Sequence, residues 1–156
     1  MTQFGDARRE DVSRIIGGGD FIALPGTDTY VQGPATRAFT AGATLAAATA
    51  VILNSSSKWV ATDANTASLY NGLKGIITAA AVDGDSVVVA LPGSILYHTS
   101  FATLTVGTPY YLSETAGAIT STVPTTGTSG QIEAGVAVHA DMLFVTMRPY
   151  AIVSGA

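Results

Sequence analysis

The chain has no cysteine, and charged residues make up only 12% of it, about half of the ~25% usual in soluble domains. Without cysteine there is neither a disulfide framework nor a thiolate metal site, and redox chemistry gives no clue to the compartment. So little charge leaves the surface of an ordinary monomer hard to keep in solution. The simplest expectation is that much of the surface is buried against other chains; a neutral surface kept soluble by Gly, Thr and Ser is the alternative. Basic charge is scarcest: seven Lys and Arg stand against eleven Asp and Glu, for a net charge of −4. Neutralising phosphates takes an excess of cations, so no nucleic acid is expected as a partner. A long hydrophobic run is missing too. The longest aliphatic stretch, residues 41–53, is interrupted by Gly42, Thr44 and Thr49 and is too short to cross a bilayer. The first ten residues hold no apolar h-region, so neither a secretory leader nor a membrane partner is expected.

Enzyme signatures are equally scarce. There is no Gly-x-x-x-x-Gly-Lys-Ser/Thr phosphate loop and no Gly-x-Ser-x-Gly elbow. Gly17-Gly18-Gly19-Asp20 has no strand pattern before it and no lysine, and reads as a hinge. The two histidines, His98 and His139, stand apart; with Asp141 they are too few to demand a metal site. A Ser94–His98–Asp141 triad can be drawn, as it can in any serine-rich chain. Asp83-Gly84-Asp85 offers calcium only two carboxylates where about six to eight oxygens are needed, and reads better as a hairpin turn. Asn54-Ser55-Ser56 fits a glycosylation acceptor but has no secretory context. The expectation is a protein that is not an enzyme, with no cofactor and no metal.

What is present is a motif that occurs twice. Residues 43–54 match residues 102–113, with Ala, Thr, Leu, Thr and Leu recurring 59 residues apart. Each copy leads to a Gly-Ile or Gly-Val strand start, Gly75-Ile76-Ile77 and Gly135-Val136-Ala137. Two similar β-halves in one sandwich or barrel account for this; chance similarity in an Ala/Thr-rich chain is the alternative. Turn residues interrupt β-prone runs every eight to twelve positions or so, the spacing of an all-β sandwich or barrel of short antiparallel strands. Asp83-Gly84 predicts a type I′ hairpin between strands over 75–82 and 85–91. Further strands are expected over 94–97, from Pro109 through Leu112, and over 118–120, 135–138 and 142–147, with a loop over 122–130. Adjacent Tyr110 and Tyr111 should face opposite sides of their strand.

With 156 residues the chain makes one domain, here divided into an extended N-terminal arm, 1–35, and a β-domain, 36–156. Four of the seven cations, Arg8, Arg9, Arg14 and Arg37, fall in the first forty residues. A short helix over 6–16 ends at the triple glycine, and the apolar pieces beyond it are broken by Pro25-Gly26 and Gly33-Pro34. The segment is too apolar for a free tail and too interrupted for a core. Phe4, Arg8, Arg9, Arg14, Ile15, Ile16, Phe21 and Ile22 are therefore the candidate partner-binding residues.

The run from Ala102-Thr103-Leu104 through Pro109-Tyr110-Tyr111-Leu112-Ser113, then Thr115-Ala116-Gly117-Ala118-Ile119-Thr120 and Gly135-Val136-Ala137-Val138, resembles the virion proteins of tailed bacteriophages. So does Gly75-Ile76-Ile77 followed by Gly84-Asp85-Ser86-Val87-Val88-Val89. Head decoration (cement) proteins and some tail-associated β-modules are similar over roughly residues 40–148. The resemblance implies a structural protein on the outer surface of a capsid, made in the host cytoplasm, with the major capsid protein and itself as partners, as a homotrimer. A tail, fibre or baseplate β-module, with host glycans as a ligand class open to it, is the other implication. A small hydrolase or lyase on a β-scaffold is the reading from a different class.

Overall fold

The computed structural model describes residues 21–23, 29–101, 103–125 and 130–152. Its strands are β1 (Phe21–Ala23), β2 (Tyr30–Gln32), β3 (Ala35–Thr36), β4 (Thr40–Ala41), β5 (Ala50–Leu53), β6 (Lys58–Ala61), β7 (Lys74–Ile77), β8 (Val89–Ala90), β9 (Ile95–Tyr97), β10 (Pro109–Leu112), β11 (Ile119–Thr120), β12 (Gly130–His139) and β13 (Met142–Ile152). One helical turn, α1 (Ala67–Tyr70), and a 3₁₀ turn, Thr99–Phe101, interrupt them. The fold is an all-β sandwich of two sheets, not a closed barrel. One sheet runs β1-β2-β9-β13-β12-β10-β11 and the other β3-β8-β7-β5-β6-β4. All pairings are antiparallel except β4 with β6.

The two sheets are two versions of one unit. β3-β8-β7-β5-β6 corresponds strand for strand to β9-β13-β12-β10-β11, and the registers agree. Ala50 pairs Ile76, which pairs Ala90, which pairs Ala35. Pro109 pairs Val136, which pairs Phe144, which pairs Ile95. Hydrogen bonds outside the strands repeat too: Leu45 N to Ala81 O and Leu104 N to Ala140 O, and Ala48 N to Ile77 O and Gly107 N to Ala137 O. Left-handed backbone recurs at Ala48 (φ 59°) and Gly107 (79°), at Ser57 (58°) and Gly117 (79°), and at Gly33 (102°) and Gly93 (93°). The motif seen in the sequence is therefore a duplicated β-half, spanning about residues 33–91 and 93–147.

The glycines that open β7's apolar run and sit within β12 have a steric cause. A Cβ on Gly75 would lie 2.4 Å from the Ala90 carbonyl oxygen, and one on Gly135 would lie 2.3 Å from that of Phe144. Both are the same close approach of neighbouring strands, one in each half.

The halves stack front to back. Call front the face carrying Val51, Ile77 and Val89 in the first half and Tyr110, Ala137 and Leu143 in the second. In the first half the front closes on its own loops: Val51, Trp59, Ile77 and Val89 pack with Ala41, Leu45, Ala81 and Val87. In the second half the front packs on the back of the first, so that Leu96, Leu112 and Leu143 meet Ala50, Ile76 and Ala90. Alanines at positions 35, 50 and 90 keep that back shallow enough for a second sheet to sit on it. Backbone bonds stitch the seam: Ala50 N to Gly117 O, Gly117 N to Thr62 O, and Ala64 N to Ser113 O, at 2.7–2.9 Å.

Two expectations need correcting. The domain does not begin at residue 36. β1 pairs β2, and β2 pairs β9 within the larger sheet, with Val31 fully buried. Three-residue runs too short to make a core of their own still serve as added strands on a sheet that supplies the partner edge. The segment 78–88 is also not a simple hairpin. Only Ile76 and Ile77 pair β8; the rest folds over the front of the first half, where Leu45 bridges Ala81 and Thr40 bridges Ser86. Its tip has positive φ at Gly84 (91°) and not at Asp83, whereas type I′ needs both. The Asp85 carboxylate holds it by accepting the Val82 N–H at 2.9 Å.

Candidate functional site

Of the expected partner-binding residues, Phe4, Arg8, Arg9, Arg14, Ile15 and Ile16 lie outside the described residues, as does the triple glycine. Phe21 and Ile22 are in β1, their backbones opposite Gln32 and Val31.

The polar groups singled out in the sequence do not converge. Ser94 is fully buried and donates its hydroxyl to the Leu91 carbonyl at 2.7 Å. His98 accepts the Ser100 N–H at Nδ1 (2.9 Å) and donates to the Thr78 carbonyl, which ties the second half to the first. Burial pulls its pKa below the ordinary histidine value, while the bond to Thr78 acts the other way. The Asp141 carboxylate contacts His139, not His98. Asp83 and Asp85 diverge as well: the first pairs with Lys58 at 2.8 Å and the second holds its turn. Among the described residues no three His, Asp or Glu side chains come together to hold a metal ion. A cleft of 450 Å³ at the seam is lined by Thr49, Ser100, Phe101, Thr103 and Tyr110 among others. It contains no charged side chain, and the Tyr110 hydroxyl is engaged by the Thr105 N–H at 3.0 Å.

The feature that stands out is the back of the second half, the outer face of the larger sheet. One row across it reads Thr120, Tyr111, Glu133, Arg148, each opposite the next on adjacent strands. Glu133 is only 4% exposed. Its carboxylate accepts Arg148 Nε at 3.0 Å and Nη2 at 3.2 Å, and the Thr146 hydroxyl at 2.9 Å. This two-pronged grip fixes the orientation of the guanidinium on Glu133. Tyr150, 60% exposed, stands edge-on to Tyr111 with ring centroids 5.4 Å apart. Burial raises the Tyr111 phenol pKa, with Tyr150 and Glu133 adding to the effect. The next row reads Pro109, Val136, Phe144, Ile95, Gln32, and beyond it Tyr30 tilts against Tyr97 at 5.5 Å. Bulges bend β12 and β13 here, and Met147 takes φ 42° at one of them.

As expected, Tyr110 and Tyr111 face opposite ways, Tyr110 onto the core and Tyr111 onto this face. The sequence reading missed the face itself. Its signal was available: aligning Ala35 and Ala90 with Ile95 and Phe144 shows small core residues replaced by large ones. No protein family, no curated protein and no solved structure matches the chain.

Proposed function

We propose that the chain is a structural protein of a tailed-bacteriophage virion, a decoration protein that binds the outer head surface as a homotrimer and stabilises the shell. The observation that carries this reading is a duplicated β-half whose polar groups are spent on turns and seams while one broad sheet face stays aromatic and nearly uncharged. The resemblance of residues 40–148 to phage virion proteins supports it, and residues 1–20 are the proposed attachment segment. The mechanism is mass action. A protein that binds only the assembled shell stabilises each site by about 2.7 kcal/mol at a hundredfold excess over Kd.

The test uses heads assembled from a genome in which the gene is deleted. Purified protein should co-sediment with these heads and raise the temperature at which they release DNA. Absence of binding to heads refutes the reading. A tail or fibre module is the second reading, favoured by the exposed Tyr150 ring beside the fixed Arg148 guanidinium, a pairing able to stack and hydrogen-bond a sugar. Gold labelling at tail tips with bare heads would replace the first reading by the second.

A further inference from the structure

We propose that the back of the second half, centred on Phe144, is the face through which copies of this chain associate. The argument starts from the duplication. In the first half the equivalent face is Ala35, Ile76 and Ala90, and it is covered by a β-half of the same construction within the chain. In the second half that face is Ile95, Val136 and Phe144, with Phe144 38% exposed. The chain thus contains one worked example of what sits on such a face: another β-layer of its own kind.

Side-chain chemistry agrees. On the strands of the larger sheet the charged side chains are Glu133 and Arg148, and they neutralise each other. Two copies therefore approach with no net charge to repel them. Tyr97, Phe144, Arg148 and Tyr150, the side chains of this face that keep accessible surface, are of the types that dominate buried contacts. The 12% charge of the whole chain has the same explanation. The inference deepens the self-association in the function proposed above. Its test involves no phage particle, so the two fail separately.

Light scattering at micromolar concentration should give a multiple of 15.8 kDa for the unmodified chain. Phe144→Glu should reduce this to a single chain while the far-UV circular dichroism stays unchanged. A second variant guards against misfolding. The chain has no cysteine, so Val138→Cys on this face and Val82→Cys on the opposite cover each introduce one thiol. Maleimide should label Cys at 82 at once, and Cys at 138 at least tenfold more slowly until the protein is diluted. A single-chain mass for the unmodified protein, an undiminished mass for Phe144→Glu, or equal labelling of the two thiols would each overturn the proposal.

Discussion

Gly135→Ala is the sharpest test of the duplicated architecture. The new methyl carbon would sit 2.3 Å from the Phe144 carbonyl oxygen and 2.8 Å from Leu143 Cγ. Ordinary contact needs about 3.4 Å, so β12 and β13 must part by roughly 1 Å along the longest strand pair of the fold. Overpacking of this kind costs about 1–3 kcal/mol, and loss of one or two ladder bonds adds about 1 kcal/mol each. The expected loss is about 3 kcal/mol, or about 6–12 °C in Tm for a domain of this size. Gly75→Ala should cost a similar amount, because its methyl meets Ala90 O at 2.4 Å in the corresponding place. Gly84→Ala is the control. It has nothing within 4 Å but a φ of 91°, so backbone strain alone should cost about 1 kcal/mol. Thermal melts of the three variants decide. If Gly135→Ala melts within 2 °C of the parent, or if Gly75→Ala and Gly135→Ala differ as much as either does from Gly84→Ala, the equivalence of the two close approaches is wrong.

Ala48→Gly should stabilise the protein by roughly 1 kcal/mol, since alanine there holds a φ of 59° that the second half assigns to Gly107; a lowered urea midpoint would contradict this. Because burial lowers the His98 pKa, the unfolded chain takes up a proton there before the folded one does. Stability from this group is complete above the ordinary histidine value of about 6.5 and is lost as pH falls through the folded pKa. The drop in urea midpoint between pH 7.5 and 5.5 should therefore shrink in His98→Gln, and an equal drop in both proteins would refute the assignment. Deleting residues 1–35 should cost about 3 kcal/mol or more, because Val31 is fully buried opposite Leu96; circular dichroism melts that match the full chain would restore the arm boundary at residue 35.

The duplication was legible because five identities survive at fixed spacing, and Pro109 marked the start of β10 because a first strand residue needs no ladder N–H. β9, β11 and the cores of β12 and β13 followed from β-prone runs between turn residues. β1 and β2 were illegible as strands: the order of strands in a sheet is set by long-range pairing, and nothing local in Tyr30-Val31-Gln32 names Ile95-Leu96-Tyr97 as its neighbour. The type of turn at Asp83-Gly84 was misread because its geometry is set by Ala41, whose carbonyl accepts the Gly84 N–H from outside the hairpin. Glu133 and Arg148 lie fifteen positions apart, and only the antiparallel register joins them. Trp59, fully buried with its indole N–H unpartnered, is core, a place that its own neighbourhood in sequence does not reveal.

Front-to-back stacking gives the chain a built-in order of assembly. The cluster around Trp59 is supplied by residues 39–91 alone, so the first half can enclose the apolar groups of its front as soon as it has been synthesised. The second half cannot, because its interior is walled on one side by Ala50, Ile76 and Ala90. Synthesis from the N-terminus therefore presents the template before the segment that needs it. A chain with the two halves exchanged would expose Leu96, Leu112 and Leu143 to water until translation ended, and its yield of soluble protein should fall for that reason alone.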